Sequence, residues 1–403
     1  MIYTPQNTDE IQSILAQAMD SQRPLYACGT RTKSGMHCQV SAEDSLSMEH
    51  YSGIIDYEPE ELVLVVRAGT RLDEIDQLLA KHNQMLAFEP ANLSKMFASE
   101  HGGTIGGIIA TNLSGSRRIS AGAARDYLLG FDAISGRCDQ FKSGSRVMKN
   151  VTGYDLSKLM CGSYGRLAIL SDITLKVLPK PQTVQTVCLT TDTLAEAQAS
   201  VSQAFTSSVE PSGGAILPVA DRFTSYIRLE GVAVSVADRL TALKNILDGQ
   251  GEVSVLEADE STLFWQQITN AEQLASSSGQ IWKLSIVPSA LPQIIEIISS
   301  AHTCSYIADW AGGLVWLNCE ISDTAASGAI IRNAISAHGG GHAHLVRGEA
   351  GEHIAKFQPQ PEQLALLQSR IKTAFDPLHI LNPDIMGHEV PDSTARADAG
   401  EKE

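Results

Sequence analysis

The chain has 403 residues, 43% hydrophobic and 19% charged, the composition of a soluble globular protein of two or three domains. A formal net charge of −16 argues against nucleic acid as a partner, because proteins that grip phosphate backbones carry basic patches. No stretch reaches the ~18 apolar residues of a membrane span, the polar start MIYTPQNTDE is unlike a secretory signal, and seven scattered cysteines form no C-x-x-C pair, so neither an iron–sulfur cluster nor a metal site is expected.

In chain order, TDEIQSILAQAMD (8–20) predicts a helix with Ile11, Ile14, Leu15 and Ala18 on one face and Thr8 as its N-cap. PLYACGT (24–30) predicts a short strand running into a turn. ELVLVVRAG (61–69) predicts a strand buried on both faces. Thr70 then caps a helix through RLDEIDQLLAKHN, with Asp73 at the capping-box position. This alternation is an α/β pattern. Glycine concentrates between 101 and 165, and RLAILSDITLKVLPKP (166–181) predicts a strand pair stopped by Pro179 and Pro181, a natural boundary.

Beyond 182, TVQTVCLTT, YIRLEGVAVSV, QIWKLSIVPS and AGGLVWLNCEIS predict strands, and LAEAQASVSQAF, DRLTALKNIL, LPQIIEIISSAH and AASGAIIRNAISAHG predict helices. That alternation suits a ferredoxin-like α+β domain with an antiparallel sheet. No tandem repeat of fixed period is visible. Residues 388–403 predict a disordered tail.

Three glycine turns carry the chemistry. HGGTIGGIIATN (101–112) has neither the lysine of a P-loop nor the spacing of a dinucleotide fingerprint. Its backbone amides and short hydroxyls suit an anionic ligand approached closely. By itself it reads more readily as a tight turn at a sheet corner. ACGTRTKSG (27–35) and VMKNVTGYDLSKLMCGSYGRLAIL (147–170) add two further donor-rich turns, which together imply one extended ligand.

These segments, with SAGAARDYLLG (120–130) and NPDIM (382–386), resemble the FAD-binding oxidases of the PCMH-type, or vanillyl-alcohol oxidase, fold. Within that group IRLEG (227–231), FWQQ (264–267) and DWAGGLVWL (309–317) are similar to the E-subunit family of bacterial glycolate oxidases. The resemblance implies an α+β architecture. A PCMH-type FAD-binding domain of two α/β subdomains spans 1–181, and a ferredoxin-like cap spans 182–387, with a C-terminal segment able to return to the first domain. It also implies FAD held along backbone amides. Gly29, Thr30 and Arg31 would form the first diphosphate loop, and Gly102, Gly103, Thr104, Gly106, Gly107 and Asn112 the second. Arg125 and Asp126 would lie near the flavin, and Gly162, Ser163, Gly165 and Ile169 by the adenine and ribose. Lys149, Asn150 and Tyr154 fit a structural or flavin-edge role. The first loop lacks the histidine that attaches flavin covalently in some members, so FAD is expected to be non-covalent; His101, abutting the second loop, is a weaker candidate for a covalent link, and the blander reading of His37 and His101 is an exposed polar side chain.

Oxidation of a 2-hydroxy acid needs a cation for the carboxylate, a base for the hydroxyl proton and an acceptor for hydride. The paired histidine motifs of the family's catalytic members are absent, so no catalytic residue is assigned. Arg228, His342 and His344 are weak candidates, with solvent contact the blander reading for the histidines and packing for Trp265, Trp282, Trp310 and Trp316. The resemblance implies a subunit of a complex that oxidises glycolate to glyoxylate, with a sister FAD-binding D subunit and an iron–sulfur F subunit as partners. The alternatives are a stand-alone D-lactate or 2-hydroxy acid dehydrogenase and a non-catalytic flavin-binding scaffold. The expected location is cytoplasmic, or peripheral at the inner face of the membrane through the complex.

Overall fold

The computed structural model describes residues 1–144, 154–320, 324–348 and 355–387. A three-stranded parallel sheet at the N-terminus orders Ile2–Tyr3, Asp44–Ser47 and Leu25–Cys28. Helix Thr8–Asp20 buries Ile11, Leu15 and Ala18 in a core with Leu25, Leu46 and Leu381. Its cap is Asn7 rather than Thr8: Asn7 Oδ1 accepts from the Glu10 amide at 2.9 Å, and the Glu10 carboxylate accepts from the Gln6 amide at 2.8 Å.

A five-stranded antiparallel sheet follows, in the order Ile54–Glu58, Val63–Arg67, Ala168–Lys176, Leu128–Ser135, Gln140–Gly144. Val63–Arg67 is paired on both edges, which suits its β-branched run. Thr70 does not cap the next helix. Its buried hydroxyl donates to Arg67 O at 2.7 Å and accepts from the Gly53 amide at 3.0 Å, and helix Leu72–Ala80 starts behind Arg71 with no side-chain cap. The expected strand pair at 166–181 is one strand of alternating burial, Ala168–Lys176, plus Leu178–Pro179 paired with Gln84–Met85.

The cap is a single eight-stranded antiparallel sheet containing a repeat that the sequence does not show. Its strand order is Glu252–Leu256, Thr183–Thr191, Arg222–Gly231, Gly213–Val219, Thr303–Asp309, Leu314–Glu320, Gln280–Ile286, Gly341–Arg347. The first four strands and helices Leu194–Thr206 and Ala233–Leu247 form one βαββαβ unit. The last four and helices Leu291–Ala301 and Thr324–Ala337 form a second, and the units meet where Ile216 pairs with Ala308. The repeat lies in topology alone, so identity at a fixed period could not report it. YIRLEGVAVSV is not one strand. It stops at Gly231, where φ is +140°, and the valines that mimic alternation open a helix in which Val236 is buried and Val234 is 73% exposed.

After helix Glu362–Phe375 the chain returns to the N-terminal sheets. Asn382 Oδ1 accepts from the Ala27 amide at 2.7 Å, while its Nδ2 donates to Ala27 O and Tyr164 O. The fully buried Lys372 donates to Asp376 and to the carbonyls of Arg166 and Leu381. The Asn382 contacts tie the third glycine turn to strand Leu25–Cys28.

Candidate cofactor cleft and active site

The first two glycine loops pack directly on each other. A Cβ on Gly29 would lie 2.4 Å from Thr104 Oγ1, and one on Gly106 would lie 2.7 Å from Ala68 O. Thr104 Oγ1 caps helix Ile105–Thr111 by accepting from the Gly107 amide at 3.2 Å, and the Gly106 amide donates to Ala68 O at 2.8 Å. The amides of Gly106 and Gly107 are therefore committed within the protein. These glycines provide close approach of loop to loop rather than a row of free donors.

Between the loops and the third turn runs a cleft. Gly29, Thr30, Arg31, Thr104, Gly106, Gly107, Ser163, Gly165 and Ile169 line it, so tertiary structure gathers most of the expected set. The rest sit around it. Gly103, at φ +99°, backs onto Lys33, whose Nζ would be 2.6 Å from a Cβ there. Gly102 faces a neighbouring cavity. Asn112 ends its helix in the left-handed region, with Oδ1 accepting from the Arg125 amide at 3.3 Å and from Cys161 Sγ at 3.4 Å. The Gly162 amide donates to Ile109 O at 3.0 Å. Both residues brace the cleft from behind. The Arg125 and Asp126 side chains are exposed, 3.8 Å apart. Tyr154 is 93% exposed, and Lys149 and Asn150 lie outside the described residues, as does 388–403.

The residue that sequence reasoning missed is Lys33. It lines the cleft, is only 8% exposed, and has no carboxylate partner among the described residues. Burial pushes its pKa down to about 8. Close by, Thr30 Oγ1 is buried with no hydrogen-bond partner. Among the described residues no Asp or Glu lines the cleft, although the chain holds 46 of them. A buried cation and an orphan hydroxyl, in a cleft free of carboxylates, are a receptor for an anion. The sequence signal was the lysine of GTRTKSG, which matches no phosphate motif by spacing.

His37 is no exposed side chain. It lines the cleft, and both ring nitrogens are engaged: Nε2 with Tyr26 OH at 3.0 Å and Nδ1 with Cys38 O at 2.7 Å. His101 is half-buried and faces the same neighbouring cavity as Gly102.

The three catalytic candidates divide. Arg228 faces neither this cleft nor solvent. It is 1% exposed, lies over the Trp265 ring at 4.5 Å, and donates to both Glu89 oxygens at 2.8 and 3.2 Å. With Arg117 and Glu230 it ties the cap to the N-terminal sheets. His342 and His344 instead line a third cavity, beside Lys283. His344 Nε2 donates to Met36 O at 2.5 Å, its ring stacks on Phe357 at 4.3 Å, and burial pushes its pKa down to about 4, so it is neutral near pH 7. Trp265, Trp282, Trp310 and Trp316 are all buried, as packing residues are.

A family model described as an FAD binding domain matches residues 1–141. The glycolate oxidase subunit GlcE of Escherichia coli (strain K12) is 32% identical over 376 residues, covering 93% of this chain and 95% of that protein. The chain belongs to the GlcE family. It is an FAD-binding oxidoreductase of PCMH-type fold. The glycolate oxidase subunit GlcD of Bacillus subtilis (strain 168) is 31% identical over 212 residues, 52% of this chain and 44% of that protein. An alkyldihydroxyacetonephosphate synthase structure superposes with a TM-score of 0.70 at 16% identity, over 95% of this chain and 75% of that one, which is a likeness of fold. Among the described residues no helix is long and apolar enough to cross a membrane, and no group of three or more His, Cys, Asp or Glu side chains is placed to hold a metal ion.

Proposed function

We propose that the chain is the FAD-binding subunit of a complex that oxidises glycolate, a 2-hydroxy acid, to glyoxylate. The observation that carries this reading is the cleft in which, among the described residues, no carboxylate stands and Lys33 and the Thr30 hydroxyl have no partner. These residues fit an extended anionic cofactor. Lys33 and Thr30 would meet its diphosphate, Ser163, Gly165 and Ile169 would border its nucleoside, and Gly29 and Gly106 would let the loops close around it. FAD, when bound, supplies the acceptor for the hydride from C2 of the acid. The engaged nitrogens of His37 support non-covalent attachment.

Oxidation releases two electrons and two protons, and the electrons must leave the chain. Its seven cysteines are free thiols with no cluster-forming group among the described residues. An iron–sulfur partner subunit is the exit this implies, alongside a sister flavin subunit of the GlcD kind. The test is the visible spectrum of the purified chain, repeated after acid precipitation and again after anaerobic glycolate. Flavin bands near ~450 nm that pass into the acid supernatant and bleach with glycolate are expected. A colourless chain, even when mixed with FAD, would refute the reading.

A further inference from the structure

Strands Thr303–Asp309 and Leu314–Glu320 of the cap form an antiparallel hairpin with two features that the cofactor reading leaves unused. Its closed end is a clasp. Asp309 is buried and accepts from the Ser116 hydroxyl at 2.7 Å, and the Trp310 indole Nε1 donates to Gly115 O at 2.9 Å, so the tip of the hairpin is held on the N-terminal region. Its open end carries two cysteines. Cys304 and Cys319 are directly opposed in the register, and their sulfurs lie 3.2 Å apart as free thiols. Directly opposed residues have Cα atoms about 4.5–5.5 Å apart, inside the roughly 4.4–6.8 Å that a disulfide spans, so side-chain rotation can join them. Cys28, Cys138, Cys161 and Cys188 instead direct their thiols at oxygens, those of Leu46 O, Gln12 O, Asn112 Oδ1 and Thr186 O. The two sulfurs of the hairpin are not equivalent. Cys319 is fully buried in a core with Leu317, Ile331 and Ile335, whereas Cys304 sits near the start of its strand and is partly exposed. The hydrogen bond from the buried Cys319 thiol holds the Cys304 thiol below its usual range, and the same contact, with burial, pushes Cys319 up.

We infer that Cys304 and Cys319 are an oxidisable dithiol, which a hydroperoxide converts to a disulfide that staples the hairpin behind its clasp. Cys304 is the attacking sulfur. Its thiolate attacks the peroxide, an S–O bond forms, the O–O bond breaks, and the departing hydroxide takes up a proton to become water. Cys319 then attacks the sulfenyl sulfur. The S–S bond forms, and the hydroxyl of the sulfenic acid leaves as a second water with the proton of the Cys319 thiol. The two thiols lose two electrons in all, and the peroxide gains them. The partly exposed sulfur meets the oxidant and the buried one resolves it, which ends the oxidation at the disulfide rather than at a sulfinic acid. The staple closes a loop between residues 15 apart in the chain. It restricts the unfolded chain and fixes the open end of the same hairpin whose tip holds the cap on the N-terminal region. Neither the cofactor cleft nor a substrate takes part, so this inference stands apart from the activity proposed above.

The test uses the full chain as purified, reduced with dithiothreitol, freed of it, and treated with about one equivalent of hydrogen peroxide. Thiols counted after unfolding should fall from seven to five. The intact mass should drop by about 2 Da, for two hydrogens, and non-reducing peptide mapping should join Cys304 to Cys319. The oxidised chain should melt higher by roughly 5 °C, and dithiothreitol should reverse the shift. Cys304→Ser changes a partly exposed position, so it should fold like the parent and keep all its remaining thiols through the treatment. Cys319→Ala should stop at a Cys304 sulfenic acid, which dimedone traps. Survival of all seven thiols in the parent would overturn the inference, as would a bond to any other cysteine or a parent-like loss of thiols in Cys304→Ser. A cross-linked chain with an unchanged melting temperature would overturn the stapling role.

Discussion

Replacing Lys33 with methionine should move stability and cofactor affinity in opposite directions. In the FAD-free protein burial lowers the lysine's pKa from 10.5 to about 8. At ~1.4 kcal/mol per unit, the charged form is disfavoured by up to about 3 kcal/mol in the fold. The FAD-free Lys33→Met protein should therefore be more stable than the parent near pH 7. The sign of the pH dependence follows. The unfolded chain holds the proton up to its ordinary value and the folded chain releases it earlier. Between about pH 8 and pH 10.5 the unfolded state thus binds more protons, and parent stability rises with pH relative to the variant. Bound FAD pairs the charge, so that rise should vanish in the loaded parent. Loss of a charge-assisted contact worth ~1.5–3 kcal/mol weakens FAD binding roughly 10- to 150-fold. Urea unfolding of FAD-free protein across this pH range, with flavin fluorescence titrations, measures both. Equal FAD affinity in variant and parent, or unfolding curves that stay parallel with pH, would show that Lys33 is not an unpaired cation of the cofactor site.

The remaining predictions concern packing and buried charge. Gly106→Ala forces a Cβ to within 2.7 Å of the Ala68 carbonyl, a backbone atom that cannot swing aside, and should cost about 1–3 kcal/mol in unfolding measurements. Gly107→Ala meets only ordinary contacts, at 3.4 Å from Thr104 Oγ1 and 3.7 Å from Lys33 Nζ, so it should keep the parent's stability and lose FAD affinity. Arg228→Met removes the bidentate partner of Glu89 and should destabilise by roughly 3 kcal/mol while flavin content holds, and an unchanged melting temperature would contradict the structural role. Asp309 is buried, and burial raises its pKa to about 7 despite hydrogen bonds from Ser116 and the Trp310 amide. The folded state then binds the extra proton between about pH 4 and pH 7, so stability should fall as pH rises through that window, by at most ~1.4 kcal/mol per pH unit. Asp309→Asn should flatten that slope.

What the sequence by itself determined was local. Periodicity marked helix 8–20, the β-branched run 61–69 marked the strand that the fold places at Val63–Arg67, and glycine pairs marked turns where backbone must come close to something. These features rest on steric and hydrophobic preferences of neighbouring residues, which a linear chain carries in full. Resemblance added the identity of the cofactor. Tertiary structure alone decided what each turn touches. The loop 101–112 has no lysine, yet Lys33 from a loop some seventy residues earlier stands against Gly103, because the Gly29–Thr104 contact brings the two turns together. Arg228 could not be told from a flavin contact until Glu89 was placed beside it, 139 residues away in the chain. Lys283, Ser285, His342 and His344 become one patch only through strand register, and register is fixed by which faces are buried across the whole sheet. The cap's two-fold repeat was hidden for the same reason, since a βαββαβ path can be traced by unrelated side chains so long as each buries one face.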